Sequence, residues 1–154
     1  MLFLKENLLP GKINNFIYDY FTKSILLNAK SIVIIGATTN QNKDSYKVMK
    51  FLKEKGFKVI PINSQTQNKE ILGERIYADI NEIDIDIVNI FRPSTEISYL
   101  INKIIHKKVK TIWLKLKIFC NEYEEKLSQL VINFIQKKCT KVEYEKLMNN
   151  DPLY

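Results

Sequence analysis

The spacing of apolar residues changes along the first quarter of the chain, and each spacing predicts a different element. Apolar positions recur every three to four residues through residues 13–28, which predicts an amphipathic helix. Residues 3–9 share this pattern, and Pro10-Gly11 separates the two helical segments. Residues 31–36 instead form a continuous β-branched run that ends in glycine. Such a run predicts a strand buried on both faces, as in a parallel sheet.

The rest of the chain alternates between these two patterns. Further helices are predicted over residues 45–55, 94–107, 121–130 and 141–148. Further strands are predicted over residues 57–63, 85–91, 110–116 and 131–135. The connection over residues 64–84 is rich in turn-forming residues and contains Gly73. The alternation predicts an α/β fold, a Rossmann-like doubly wound parallel sheet of about five strands with an extra N-terminal helical segment.

The predicted elements divide the chain into three parts. We expect an N-terminal helical extension over residues 1–28, one ligand-binding domain over residues 29–148, and a tail over residues 149–154. The length of 154 residues fits a single domain, and the shares of hydrophobic (45%) and charged (27%) residues are ordinary for a globular protein.

The net charge of +7 is built almost entirely from lysine, with 22 Lys against the two arginines Arg75 and Arg92. Isoleucine (23) and asparagine (15) are inflated to the same degree, which is typical of a coding bias that acts on every tolerant site. Proteins that bind nucleic acid sequence-specifically usually rely on the bidentate guanidinium of arginine. We therefore expect a lysine-rich solvated surface and no specific nucleic-acid partner.

Cysteine and histidine are too scarce for a disulfide framework or a zinc site. Cys120, Cys139 and His106 are the only such residues, so no metal is expected. The apolar runs are strand-sized, shorter than the ~20 residues of a membrane-spanning helix. The N-terminus has no signal-peptide core of adequate length. The sequence therefore predicts a cytoplasmic protein without a membrane partner.

Ligands of open parallel sheets bind beyond the carboxyl ends of the strands, so the loop after the first strand is the principal candidate site. This loop begins with Gly36 and Ala37 and leads into a helix whose free N–H groups attract anions. Hydroxyl and ammonium groups suited to phosphate oxygens follow at Thr38, Thr39, Lys43, Ser45 and Lys47. The loop therefore favours a phosphate-bearing ligand.

Two common nucleotide fingerprints are missing from the sequence. The loop has one glycine where dinucleotide-binding proteins have G-x-G-x-x-G, and Asn63 stands where their ribose-binding acid would end the second strand. No G-K-[ST] motif exists, so the usual binding modes of NAD and ATP are both disfavoured. Phe91 and Arg92 end the third strand. Arg92 is interpreted either as a bidentate ligand of an anion or as one half of a surface ion pair.

Several segments, in the same order, resemble the CoA-binding domain family. They are Ile32–Thr38, Ser45–Val48, Lys55–Asn63, Ile71–Glu74, Ile87–Pro93, Thr111–Leu114 and Cys139–Glu143. These small single-domain proteins are similar to the CoA-binding domain of the succinyl-CoA synthetase alpha subunit. The resemblance covers about residues 24–147 and implies that the phosphates of CoA lie near the Gly36 loop. It further implies that the loops at Asn63 and at Phe91-Arg92-Pro93 hold the nucleotide end.

The chain departs from the family's usual residues at several positions. Lys115 and Lys117 follow the Trp-containing strand where the family usually has Gln and Gly, and Val131 replaces a glycine before the last strand. Lys137-Lys138 replaces an Asp-Arg pair before the cysteine, and Ser64 replaces a proline after Asn63.

The leading hypothesis is a CoA-binding or acyl-CoA-binding protein without evident catalytic residues. One alternative is a family member that has lost CoA binding and acts as an interaction or regulatory module. Another is an enzyme of thiol or acyl exchange that uses Cys139, whose lysine neighbours favour a thiolate. A nucleic-acid binder is the weakest alternative. The apolar N-terminal helix is predicted to cover either the sheet or a second copy of the chain in a homo-oligomer.

Overall fold

A computed structural model of the chain describes residues 11–81 and 84–149. The helices are α1 (Gly11–Asn28), α2 (Asp44–Glu54), α3 (Ser94–Ile104), α4 (Glu124–Gln129) and α5 (Thr140–Asn149). The strands are β1 (Ser31–Ile35), β2 (Lys58–Ile62), β3 (Glu70–Ile71), β4 (Glu74–Arg75), β5 (Asp84–Ile90), β6 (Lys108–Leu114) and β7 (Asn133–Ile135). A 3₁₀ turn, Asn121–Tyr123, precedes α4.

Five strands form one parallel sheet in the order β2-β1-β5-β6-β7. The chain leaves β1 toward one side to form β2 and then returns to the other side of β1 to form β5. The strand order therefore reverses between β1 and β5, where Ile34 of β1 is paired with Asn89 of β5. A ligand crevice is expected beyond the carboxyl ends of these two strands.

The core is a double layer of branched side chains, one layer on each face of the sheet. Alternate residues of each strand point to opposite faces. One face packs against α3 and α4 through residues such as Val88, Ile90 and Ile97. The other packs against α1, α2 and α5 through residues such as Ile32, Ile87 and Trp113. Burial on both faces explains why the strands appear in the sequence as unbroken isoleucine and valine runs.

The predicted α/β class and five-stranded parallel sheet are confirmed, and some element boundaries differ from the prediction. The segment predicted as one helix over residues 121–130 divides into the 3₁₀ turn and α4. The connection over residues 64–84 contains the unpredicted hairpin β3–β4. This hairpin is held by α2, because Lys53 Nζ donates hydrogen bonds to the Leu72 carbonyl and, at 2.9 Å, to Glu74 Oε1. The helix predicted over residues 3–9 lies outside the described residues.

A buried hydrogen-bond chain fixes the start of α5 at the carboxyl edge of the sheet. Asn89, in β5, donates from Nδ2 to the Trp113 carbonyl at 3.1 Å and accepts from Thr140 Oγ1 at 2.8 Å. The Trp113 indole N–H donates to the Lys138 carbonyl at 2.8 Å. Because the Asn89 amide is buried, these bonds hold the chain after β7 across the ends of β5 and β6.

No helix in the described part of the chain is long and apolar enough to cross a membrane.

Two helices end in the same Schellman motif with different residues at its left-handed position. After α2, Gly56 has φ +92°, its N–H bonds the Lys53 carbonyl, and the Phe57 N–H bonds the Leu52 carbonyl. After α4, Val131 has φ +58°, its N–H bonds the Ser128 carbonyl, and the Ile132 N–H bonds the Leu127 carbonyl. A β-branched residue is strained in this conformation, which glycine adopts freely. Val131 therefore adopts the left-handed backbone conformation that glycine usually adopts at this position of the motif.

Replacing Val131 by glycine is expected to stabilise the protein. Val131 is exposed, so little packing is lost, while relief of the left-handed strain is expected to raise the free energy of unfolding by about 1 kcal/mol. The measurement is urea denaturation followed by circular dichroism. The reciprocal control, Gly56→Val, is expected to lower stability. A Val131→Gly protein less stable than the parent would contradict the strain argument.

Candidate functional site

The crevice between the ends of β1 and β5 is closed at its base by direct backbone contact. The Phe91 N–H donates to the Ile35 carbonyl at 2.8 Å, and the Gly36 N–H donates to the Ile62 carbonyl at 3.0 Å. Gly36 has φ +88°, and a Cβ placed there would lie 2.5 Å from the Phe91 carbonyl oxygen. No side chain fits at that distance. Position 36 therefore accepts only glycine if the two strand ends are to stay in contact.

The loop after Gly36 is ordered by its own polar groups. Thr38 Oγ1 accepts a hydrogen bond from the Asn40 N–H at 3.1 Å, and Asn40 Oδ1 accepts one from the Asn42 N–H at 3.0 Å. Ala37 is buried in the core, while Thr39 is exposed. The loop backbone is thus fixed before α2 begins.

The first turn of α2 offers backbone N–H groups that no N-cap side chain satisfies. The N-cap residue, Lys43, has extended backbone and makes no side-chain cap. Lys43 and Lys47 are exposed at this helix end, whereas Ser45 is buried. Free N–H groups with ammonium groups beside them attract anions. Asp44 stands in the same turn, and its Oδ2 lies 3.1 Å from Lys115 Nζ.

Asn63 joins the loops that follow β1 and β2. Its Nδ2 donates to the Ala37 carbonyl at 2.8 Å, and its Oδ1 accepts from the Gln65 N–H at 2.9 Å. Both ends of the amide therefore have protein partners. In this arrangement Asn63 orients the Gly36 loop.

Arg92 makes the ion pair that one of its two interpretations anticipates. Its Nε and Nη2 donate to the two Glu96 carboxylate oxygens at 2.8 and 2.7 Å. The hydrogen bonds from Arg92 hold the pKa of the Glu96 carboxyl below its usual value. A third of the Arg92 side chain is exposed, so the pair stabilises the fold by less than about 1 kcal/mol. Beside it, Phe91 packs partly buried against the core, and Pro93 is the N-cap of α3.

A cavity of about 210 Å³ opens beside the crevice, between α3 and the connection that follows β2. Its apolar wall includes Ile35, Ile62, Ile80, Leu100 and Ile104. Its polar lining includes Ser64, Gln65, Asp79, Arg92, Glu96, Tyr99, Lys103 and Lys107. An apolar wall with a few fixed polar groups at its mouth is the usual form of a small-molecule site.

One ion pair and one hydrogen bond join residues that line the cavity. Lys103 Nζ lies 2.7 Å from Asp79 Oδ2, and Lys107 Nζ donates to the Ile80 carbonyl at 2.6 Å. Burial alone would raise the pKa of the Asp79 carboxyl. The hydrogen bonds from Lys103 and the Ile80 N–H outweigh this effect and hold the pKa below its usual value.

The residues of α3 that line the cavity are functional candidates that the sequence prediction did not identify. The signal for them is helical spacing, because positions 96, 99, 100, 103 and 104 fall on one face of a helix that begins after a strand, and Lys107 follows shortly after that helix ends.

Cys139 lies partly exposed just before α5, outside the residues that line this cavity. Lys138 Nζ is 3.8 Å from Glu143 Oε1, and the Cys139 carbonyl accepts the Glu143 N–H at 2.9 Å.

At the other cysteine, burial and the nearby Glu122 carboxylate raise the pKa of the Cys120 thiol. Among the described residues no group of three potential metal ligands is found. The role of Cys139 in thiol exchange stays a prediction.

The strand order and the glycine-based crevice define a Rossmann-like α/β protein. Residues 30–145 match the family model described as CoA binding domain, and the chain therefore belongs to the CoA-binding domain family.

Relatives in bacteria and archaea share most of the chain. The uncharacterised protein YneT of Bacillus subtilis is 27% identical over 124 residues, which are 79% of this chain and 90% of YneT. A solved structure from Thermus thermophilus, cell-free ID.343, is 28% identical with a TM-score of 0.78, covering 84% of this chain and 98% of that one. A hypothetical protein from Pyrococcus horikoshii is 27% identical with a TM-score of 0.77, covering 84% and 92%.

Substitution of Gly36 by alanine is expected to destabilise the protein by about 2–4 kcal/mol. The new Cβ would meet the Phe91 carbonyl oxygen and would also stand in a left-handed conformation. Gly56→Ala is the matched control, because its φ of +92° is similar while nothing lies within 4 Å of the added Cβ. It is expected to cost only about 1 kcal/mol. Equal losses in the two variants, measured by urea denaturation, would show that the contact with Phe91 does not constrain position 36.

Proposed function

We propose that this protein binds CoA or an acyl-CoA and has no catalytic residues of its own. Residues 29–148 would form the ligand-binding domain, with residues 1–28 as a helical extension. Membership of the CoA-binding domain family supports the ligand class. The observation that carries the proposal is the glycine-based crevice, which opens onto an uncapped helix N-terminus on one side and a partly apolar cavity on the other.

The diphosphate of CoA is proposed to lie at the Gly36 loop and the first turn of α2. The backbone N–H groups of this turn have no side-chain cap, and Lys43 and Lys47 supply positive charge at the same helix end. Thr38 and Asn63 already have protein partners, so their contribution is to keep the loop in the conformation that leaves room for phosphate.

The adenosine end is proposed to occupy the cavity beside α3. Isoleucine and leucine side chains form a surface on which a planar base can pack. Arg92 has further N–H donors besides the two that bind Glu96. The lining also carries one more basic group than carboxylates, with Arg92, Lys103 and Lys107 against Asp79 and Glu96. This arrangement suits the 3′-phosphate that CoA carries and NAD lacks.

A second candidate function, that of an interaction module, is favoured by the outer surface of α1. Phe16, Tyr20 and Leu27 are 73%, 71% and 63% exposed, and their spacing places them along one side of the helix. Exposed apolar positions of this size are typical of contact surfaces. This candidate is the alternative in which CoA binding has been lost, so a measurement of ligand binding distinguishes the two functions.

Thermal unfolding with and without ligands tests CoA binding. At 100-fold excess over its dissociation constant, CoA is expected to stabilise the protein by about 2.7 kcal/mol, or roughly 5–10 °C in melting temperature. Acetyl-CoA is expected to act similarly, and NAD at the same concentration is expected to leave the melting temperature unchanged. No shift with millimolar CoA or acetyl-CoA would refute the proposal and leave the interaction module as the better hypothesis.

A further inference from the structure

An ion pair joins the end of β6 to the start of α2, the helix that follows β1. The Lys115 N–H donates to the Ile90 carbonyl at 2.9 Å, which anchors its backbone over the end of β5. From there the side chain extends to α2, where Lys115 Nζ lies 3.1 Å from Asp44 Oδ2. Because β5 stands between β1 and β6, this Lys115–Asp44 pair lies across the place where the strand order reverses.

The Lys115–Asp44 pair is weak enough to exchange partners. The two side chains are 37% and 63% exposed, and ion pairs with such exposure contribute less than about 1 kcal/mol. The Asp44 carboxylate occupies the end of the helix to which an anion would bind, in the first turn of α2. A phosphate that reaches this turn would repel Asp44 and attract Lys115. The Lys115 ammonium group would then leave the Asp44 carboxylate and bind the phosphate, which requires only a movement of its side chain.

We infer that Lys115 is a specificity-determining residue that exchanges Asp44 for the diphosphate of the ligand. This inference rests on the proposed function. An ammonium group binds a diphosphate more strongly than a neutral side chain does, because its hydrogen bond to the phosphate oxygen is charge-assisted. Asp44 is the competing anion that Lys115 leaves. The exchange favours ligands that carry a diphosphate over pantetheine fragments without one.

Isothermal titration of the full chain with CoA and dephospho-CoA tests the exchange. Both ligands carry the diphosphate, and dephospho-CoA lacks the 3′-phosphate. Lys115→Gln is expected to weaken both ligands by the same factor, about tenfold, which corresponds to the loss of one charged hydrogen bond. Asp44→Asn is expected to strengthen both by severalfold, since it removes the competing carboxylate.

The matched control is Lys58→Gln, which makes the same change in net charge at an exposed position. Lys58 is the first residue of β2 and therefore lies at the amino ends of the strands, away from the proposed ligand site. It is expected to leave both affinities unchanged. The melting temperature of the unliganded Lys115→Gln protein is also expected to stay within a degree or two of the parent. A purely structural role for Lys115 would lower this temperature.

Three results would overturn the inference while the proposed function stands. The first is unchanged affinity in Lys115→Gln. The second is a loss of affinity in that variant for CoA alone, which would assign Lys115 to the 3′-phosphate. The third is a loss of affinity for both ligands in Asp44→Asn, which would mean that the intact ion pair is needed. Absence of binding to the parent protein would instead overturn the proposed function, and the inference with it.

Discussion

The structure depends on one close approach, that of the β1 end to the β5 end at Gly36 and Phe91. Two strands of a parallel sheet normally diverge into separate loops at their carboxyl ends. Here the Phe91 N–H still bonds the Ile35 carbonyl, and the absence of a side chain at Gly36 lets the next peptide pass beside the Phe91 carbonyl. This contact fixes where the loop turns. It thereby sets the position of the α2 N-terminus relative to Arg92, on opposite sides of one crevice.

The sequence predicted those parts of the fold whose cause is local. The buried strands β1 and β5 appear as unbroken apolar runs, and Gly56 marks the end of α2. The hairpin β3–β4 was missed because each of its strands has two residues and its stability comes from Lys53, an earlier part of the chain. No local pattern records such a contact. Predicting it would have required knowing that α2 packs beside this connection.

The candidate site was predicted unevenly for the same reason. Gly36 and Arg92 could be identified, since each directly follows a buried strand and each is a rare residue type in this chain. The cavity wall formed by Tyr99 and Lys103 could not, because it exists only where α3 meets the segment around Asp79. A helix face becomes a site wall only through the partner that stands opposite it, and that partner is far away in sequence.

The lysine excess acquires a physical interpretation from the ion pairs that the described residues form. Lys53, Lys103, Lys110 and Lys146 pair with carboxylates in different elements of the fold, which fits lysine spread over all tolerant positions. At Asp86, burial alone would raise the pKa, yet hydrogen bonds from Lys110 and two backbone N–H groups hold the pKa below its usual value. A net charge of +7 therefore does not define one binding face. What distinguishes Lys115 from the other paired lysines is its place, since its carboxylate partner stands at the helix end where an anionic ligand would compete for the same ammonium group.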